Sequence, residues 1–274
     1  MGSNVIRKYI KDLLHLIFPN LNQRLFHIIK TINGYFDNNH DEIYLIHRLF
    51  RKIIKTGVMV DVGAHYGGSL RPFALDNWLI YAFEPDNNNR KELTKSFSSF
   101  NNVIIDNRAI SNENKVNQPF YSSEISTGIS GLSKFHSSHQ EKMKVDTITL
   151  MNFCKDRKIE HIDFLKIDTE GFDLFVLKSL PWMKIRPNII LCEFENNKTE
   201  LLGYNSYDMA EYLVQKGYRI IISEWYPIKE YGKKHQWRKF IEYPGKLTDN
   251  NSFGNFIATR DDEIFIKLKK VTLG

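Results

Sequence analysis

Carboxylates recur in this chain at the ends of short apolar runs, in three segments: Val60-Asp61-Val62-Gly63-Ala64-His65-Tyr66-Gly67, Phe83-Glu84-Pro85, and Lys166-Ile167-Asp168-Thr169-Glu170-Gly171. A glycine turn directly after a buried strand lets the backbone approach a ligand closely. An acidic residue about 20 positions later, ending the next strand, can accept hydrogen bonds from both ribose hydroxyls. Gly63, Gly67 and Glu84 therefore read as nucleoside recognition. The glycines do not complete the dinucleotide pattern GxGxxG, and Asp61 precedes them. A carboxylate beside the turn repels a pyrophosphate but suits the amino end of a bound amino-acid moiety, which favours S-adenosylmethionine over NAD. The alternative, a turn that merely joins strand to helix, loses ground once Glu84 is counted.

These residues need a scaffold, and from Gly57 onward the pattern supplies one. Val58–Val62, Trp78–Phe83, Val103–Ile105, Phe164–Ile167, Ile189–Phe194 and Tyr218–Ile222 read as strands. Between them, helices are predicted from near Ser69, over Asn88–Phe97, Thr147–Lys155 and Phe172–Leu180, and over Tyr207–Gln215. That alternation predicts an α/β domain with a mainly parallel sheet. The Ser-rich stretch Ser122–Ser138 is a loop whose length argues for function. Residues 1–56 differ from the rest: they carry most of the net charge of +6, and Ile6, Tyr9, Ile10, Leu13, Leu14 and Ile17 mark one face of an amphipathic helix. Two further helices are predicted around Leu25–Ile32 and Ile43–Ile54. We read residues 1–56 as a basic helical extension packed on a domain spanning 57–274, the sharper reading being a peripheral anchor on anionic lipid.

The 274 residues are 42% hydrophobic and 26% charged, which excludes disordered and collagen-like classes. No apolar run approaches the roughly 18 to 20 residues that span a bilayer, and no secretory cleavage pattern is expected at the N-terminus. Cys154 and Cys192 form no CxxC spacing, so the reducing cytoplasm is the expected location.

The three segments resemble the FkbM family of S-adenosylmethionine-dependent methyltransferases, whose members carry a DVGAN-x-G turn, an FEP strand end and a KIDVEG strand end. The resemblance covers roughly Val58 to Phe256. His65 stands where the family usually has Asn, and Asp173 where Glu is usual. It implies the class I methyltransferase fold, a Rossmann-like, mainly parallel seven-stranded sheet flanked by helices. On that fold Asp61, Gly63, Ala64, His65 and Gly67 would surround the methionine part of the cofactor and Glu84 would hold the ribose. Asn107, leaving the third strand, is the candidate for the adenine edge, with an ordinary turn residue as the alternative.

Methyl transfer to a hydroxyl needs the acceptor oxygen held in line and its proton removed. Asp168 and Glu170 lie just past the fourth predicted strand, where either would orient the acceptor or act as base; Glu170 alternatively serves the helix N-terminus that follows. Glu193 and Glu195 add carboxylates at the same sheet edge, so Mg²⁺ held by Asp168 with Glu193 or Glu195 is an open alternative. His136 and His139 have no third ligand in view, and Cys192 reads as a buried thiol. For the acceptor, Trp225, Tyr226, Tyr231, His235 and Trp237 with Lys229, Lys233 and Lys234 suit stacking on a sugar beside an anionic group. Residues 223–227 and 235–238 resemble a subset of the family found with cell-surface glycan genes. The expected acceptor is therefore a saccharide, Glu193 included among its contacts. The rivals are an RNA or other small-molecule methyltransferase and a catalytically silent binding protein. Nucleic acid is disfavoured because the positive excess sits in the N-terminal helices.

Overall fold

The computed structural model of the protein describes residues 40–274. The first two predicted helices, and with them the lipid-anchor reading, lie outside the described residues. The third is α1 (Glu42–Phe50), capped by Asp41, whose carboxylate accepts the Tyr44 N–H at 3.2 Å. Its apolar face, Leu45, Ile46, Leu49 and Phe50, packs into the same core as Phe73, Trp78 and Phe164. The core thus reaches upstream of residue 57.

Among the described residues, eleven strands form two sheets. The larger has eight strands in the order β10-β9-β11-β8-β7-β1-β2-β3. Its parallel part comprises β1 (Val58–Val62), β2 (Leu79–Phe83), β3 (Val103–Asp106), β7 (Phe164–Ile167) and β8 (Ile189–Glu195). Strand β11 (Phe253–Thr259) inserts antiparallel between β8 and β9 (Arg219–Trp225). Six of these strands match those read from the sequence, β11 completes the expected seven, and β10 (Trp237–Glu242) adds an eighth at the edge, antiparallel to β9. Alternate residues of the central strands point to opposite faces, as a pleated strand requires. Val60, Phe83, Leu165 and Cys192 enter one core, whereas Met59, Ala82, Phe164 and Leu191 enter the other. Burial on both faces explains why these strands read as continuous apolar runs. The predicted helices at the sheet's flanks are α2 (Arg71–Leu75), α3 (Asn87–Phe97), α5 (Asp173–Lys178) and α7 (Ser206–Gln215). A C-terminal helix, α8 (Asp262–Thr272), joins α1 in the second core through Ile264, Phe265 and Leu268.

The smaller sheet, β4-β6-β5, was not expected. It contains β4 (Ala109–Ile110), β5 (Lys115–Ser122) and β6 (Gln140–Ile148). The helix predicted over Thr147–Lys155 is corrected accordingly. Thr147 and Ile148 end β6 by pairing with Ala109 and Ile110, and α4 (Leu150–Arg157) starts only after Thr149, whose hydroxyl caps it through the Asn152 N–H at 3.1 Å. The Ser-rich stretch is the connection between β5 and β6, as expected, with one short 3₁₀ turn at Thr127–Ile129. Among the described residues no helix is long and apolar enough to cross a membrane.

Candidate active site

The order of the parallel strands reverses between β1 and β7: β2 and β3 continue to one side, β8 to the other. Loops leaving adjacent strands in opposite directions open a crevice beyond the carboxyl ends, where ligands of α/β sheets bind. All three sequence segments emerge there. Gly63 follows β1 with φ +84°, and a Cβ on it would stand 1.8 Å from the carbonyl oxygen of Asp168, so only glycine fits this crossing of two loops. The Gly63 and Ala64 N–H groups both donate to the Phe83 carbonyl, at 3.1 and 2.9 Å, tying the turn to β2. His65 adopts φ +49°, a conformation tolerated by a few polar residues, and its N–H donates to Glu84 Oε2 at 2.7 Å.

Glu84 is 5% exposed, and its second oxygen accepts the Asp86 N–H at 2.9 Å. Burial pushes its carboxyl up to about 7, opposed by those two backbone donors. An ionised carboxylate offers about four acceptor positions, so two remain for a ligand.

The cleft has a volume of about 250 Å³. Of the residues singled out by sequence, Gly63, His65, Glu84, Asp168, Glu170, Glu193 and His235 line it. Tyr231 lines it too, as do Lys198, Asn89 and the loop segment Ser126–Ser130, which sequence reasoning did not single out. Loop length was the signal for the last. Thr127 Oγ1 lies 3.0 Å from both His65 Nε2 and the Tyr66 hydroxyl, and the Asn89 side-chain amide donates to the Thr127 carbonyl at 3.3 Å, so the loop closes over the glycine turn. An apolar slot of about 50 Å³ lies on the other side of Glu84, walled by Val62, Phe83, Pro85, Ile110 and Leu132. Asn89 Oδ1 and Ser130 Oγ are buried without a hydrogen-bond partner.

The remaining expected site residues are placed elsewhere. Asp61 is fully buried behind the turn, accepting from Ser69 and facing Lys166 Nζ at 3.3 Å; Lys166 also lies 3.3 Å from Asp168. Asp61 thus braces the turn from beneath. Ala64 packs in the second core, and Gly67 faces Leu93 and Phe97, where a Cβ would collide. Asn107 lies in a separate groove with Arg90, Arg108 and Arg157, because Asp106 turns the chain outward through its bidentate bond to Arg108. Trp225 and Trp237 face each other across β9 and β10; Trp225 donates to Glu42 of α1 and Trp237 to Ser223. Tyr226 lies under the Arg238 guanidinium, 4.1 Å from its ring centroid. These three aromatics pack the edge strand and do not reach the cleft.

The end of the cleft bordered by the loops after β7 and β8 carries a charge cluster. Lys198, in the short helix α6 (Asn196–Thr199) after β8, is 2% exposed, and its Nζ lies 2.6 Å from Glu170, 3.0 Å from Glu193 and 2.8 Å from Glu195. Glu170 holds φ +57°, and the rings of Phe135 and Tyr231 flank the ammonium at 5.6 and 5.8 Å. The Tyr231 hydroxyl donates to Glu195 Oε1 at 2.7 Å. Oxygens of Asp168, Glu170 and Glu193 lie within 4.8 Å of one another, a spacing open to a divalent ion. Two of these three, Glu170 and Glu193, also face the Lys198 ammonium. Burial pushes the carboxyls of Glu170, to about 7, and Glu193 up, while Lys198 pulls them down. His136 is engaged by Ser138 at 2.7 Å, and Cys192 is a buried thiol, raised by burial.

Residues 61–220 match the sequence profile of the methyltransferase FkbM domain. No curated protein matches the chain. Among solved structures it is similar to a precorrin-6y C5,15-methyltransferase from Geobacter metallireducens, with 12% identity, 80% of this chain and 88% of the other covered, and a TM-score of 0.42. An rRNA methylase from Streptococcus thermophilus shares 10% identity over 80% and 96% of the two chains, with a TM-score of 0.41. A methyltransferase candidate from Streptococcus mutans, in complex with SAH, shares 9% identity over 79% and 97%, with a TM-score of 0.43.

Proposed function

The chain belongs to the FkbM methyltransferase family, and from that premise we propose that it moves a methyl group from S-adenosylmethionine to a hydroxyl of a sugar in a glycan or glycan precursor. The observation that carries the cofactor reading is Glu84: a buried carboxylate at the end of β2, held by two backbone N–H groups, with acceptor capacity left over for a ribose diol. The apolar walls beside it, Phe83, Pro85, Ile110 and Leu132, offer contacts to the edge of the adenine ring, and the 50 Å³ between them does not enclose it. The unpartnered Asn89 oxygen and the Ser130 hydroxyl provide further polar positions beside the nucleoside. Gly63 and His65 border the methionine part. When bound, the cofactor supplies an electrophilic methyl group on a sulfonium.

The residues of this chain do the rest. Of Asp168 and Glu170, at the end of β7, either takes up the acceptor's proton or orients the acceptor. Tyr231, His235 and Phe253 offer ring faces for a sugar, and Glu193 a hydrogen-bond acceptor for its hydroxyls. Among the described residues, Glu84, Asp168, Glu170 and Glu193 against Lys198 make the cleft acidic, which opposes a polyanionic acceptor and favours a saccharide over RNA. The basic residues Lys229, Lys233 and Lys234 are not among those lining the cleft.

Titration with S-adenosylhomocysteine tests the cofactor assignment. Micromolar binding supports it, and no binding at millimolar ligand moves the silent-fold reading to first place. Transfer of radiolabelled methyl groups to glycan extracts and not to RNA is the expected acceptor result; the reverse refutes the sugar assignment.

A further inference from the structure

The loop that closes over the glycine turn is built as a flap. Tyr121 and Gly131 exchange backbone hydrogen bonds of 2.9 Å in both directions and close its base. Ser122, just inside that base, donates to Asp86 Oδ2 at 3.1 Å, and Asp86 Oδ1 caps α3 through the Asn88 and Asn89 N–H groups at 2.9 and 3.1 Å. The stem of the loop is thus joined to the helix that carries Asn89. The tip is held at Thr127, through His65, Tyr66 and the Asn89 amide, and it meets the β9–β10 connection at Gly232. Gly232 has φ +80°, and a Cβ on it would stand 3.1 Å from the Ile125 carbonyl oxygen and 3.7 Å from Ser126 Cβ. Together the two connections roof the cleft, residues 126–130 from one side and Tyr231, Gly232 and His235 from the other.

Two observations say that this roof moves. The cleft beneath it, about 250 Å³, is smaller than the roughly 300–1,000 Å³ of sites that enclose a drug-sized ligand, yet it has to take cofactor and acceptor together. Asn89 supplies the second. It lines the cleft at 2% exposure, with its amide spent on the Thr127 carbonyl at 3.3 Å and its own carbonyl oxygen buried without a hydrogen-bond partner among the described residues. An unpaired buried acceptor is costly, and a ligand donor reaches this one only once the tip has lifted. We propose that Asn89 couples cofactor binding to closure of the roof: its oxygen accepts a hydrogen bond from the nucleoside, its amide holds Thr127, and the flap of residues 123–130 lifts to admit the cofactor and shuts over it. This rests on the S-adenosylmethionine reading above. An order of events follows. The β9–β10 connection carries Tyr231 and His235, the ring faces offered to a sugar, and it is seated against the flap, so the acceptor pocket is complete only with the cofactor in place.

Hydrogen exchange of the full-length protein, read by mass spectrometry with and without saturating S-adenosylhomocysteine, tests the coupling. In the wild type the ligand should slow exchange over residues 123–130 by about tenfold or more. Asn89→Leu keeps the side-chain volume and loses both bonds. It should bind the ligand more weakly and, at saturation, leave the flap exchanging fast while the strands of the larger sheet exchange as in the wild type. Asn89→Asp, which keeps an acceptor but loses the donor to Thr127, serves if the first variant does not fold. A flap left unprotected in the liganded wild type overturns the proposal while leaving the cofactor reading intact, and so does equal protection in wild type and variant. Entry is tested by combining Ser126→Cys with Gly232→Cys, because 3.7 Å lies within the roughly 3.5–4.5 Å between the Cβ atoms of a disulfide, and both native cysteines are buried. Oxidation should slow ligand association by about tenfold or more, and reduction should restore it. An association rate that oxidation leaves unchanged overturns the proposal. Failure of the wild type to bind the ligand removes the cofactor reading and the proposal with it.

Discussion

Replacing Glu84 by Gln separates hydrogen-bond chemistry from shape at the proposed ribose site. The carboxylate spends one acceptor position on the His65 N–H and one on the Asp86 N–H, leaving two for a diol. The amide retains one oxygen, so it keeps one backbone bond and one ligand bond, and sets an NH₂ group against the other backbone donor. Losing one charged hydrogen bond and weakening the second costs about 2–4 kcal/mol, or about 30- to 1,000-fold in affinity. The assay is calorimetric titration with S-adenosylhomocysteine at pH 8.5, where wild-type Glu84 is ionised. Because burial raises this carboxyl to about 7, and a diol prefers the ionised acceptor, wild-type affinity falls as the pH drops below 7. The variant lacks that component, so the two proteins converge in acid. Binding by Glu84→Gln within about threefold of wild type at pH 8.5, below half the loss expected for one charged bond, refutes the assignment.

Three further outcomes are expected. Lys166→Met leaves fully buried Asp61 and its neighbour Asp168 without their shared cation, and urea unfolding should show a loss of about 3–5 kcal/mol, partly restored by adding Asp61→Asn. Asp173, 1% exposed, has its carboxyl raised by burial from 3.8 to about 6, so between those values the folded state holds a proton the unfolded chain has lost. Stability from this group is full below 3.8 and lost as the pH rises through 6; the urea midpoint of the wild type should gain on acidification from pH 7 to 5 relative to Asp173→Asn, and equal slopes in the two proteins contradict this. Trp237→Phe removes the bond to Ser223 and lowers stability by about 1 kcal/mol while leaving S-adenosylhomocysteine affinity unchanged. A large affinity loss would return Trp237 to the site.

What was legible in the sequence was local. Gly63, Glu84 and Asp168 each sit at the end of a strand buried on both faces, and a strand end fixes position along the sheet edge whatever the rest of the chain does. The second sheet was hidden because β6 reads Gln-Glu-Lys-Met-Lys-Val-Asp-Thr-Ile, with one face in solvent and its apolar face spent on a small core of Ala109, Phe120 and Val145. Trp225 and Trp237 looked like ligand contacts because aromatic clusters serve both edges and sites. Their partners, Glu42 and Ser223, belong to α1 and to β9 itself, and no spacing rule connects Glu42 to a residue 183 positions away. Asn107 and Asn89 are equally plausible as types. Only the outward turn set by Asp106 and Arg108, and the loop carried by Thr127, distinguish them.

The carboxylates at the ends of β7 and β8 show the same limit in its most consequential form. Sequence places Asp168, Glu170, Glu193 and Glu195 on one edge, and four acids on one edge demand a cation without naming it. A metal and an ammonium answer that demand with different chemistry: a metal acts on the acceptor oxygen directly, whereas an ammonium fixes the charge and geometry of the bases around it. Lys198 stands three residues after Glu195, at a helical spacing that carries Nζ back over the strand end, and its ammonium lies within 3.0 Å of three glutamates from two segments at once. The spacing open to a divalent ion runs through Asp168, Glu170 and Glu193, whereas the ammonium, flanked by Phe135 and Tyr231, faces Glu170, Glu193 and Glu195. Glu170 and Glu193, which line the cleft, therefore stand beside a fixed positive charge that holds their carboxylates in place.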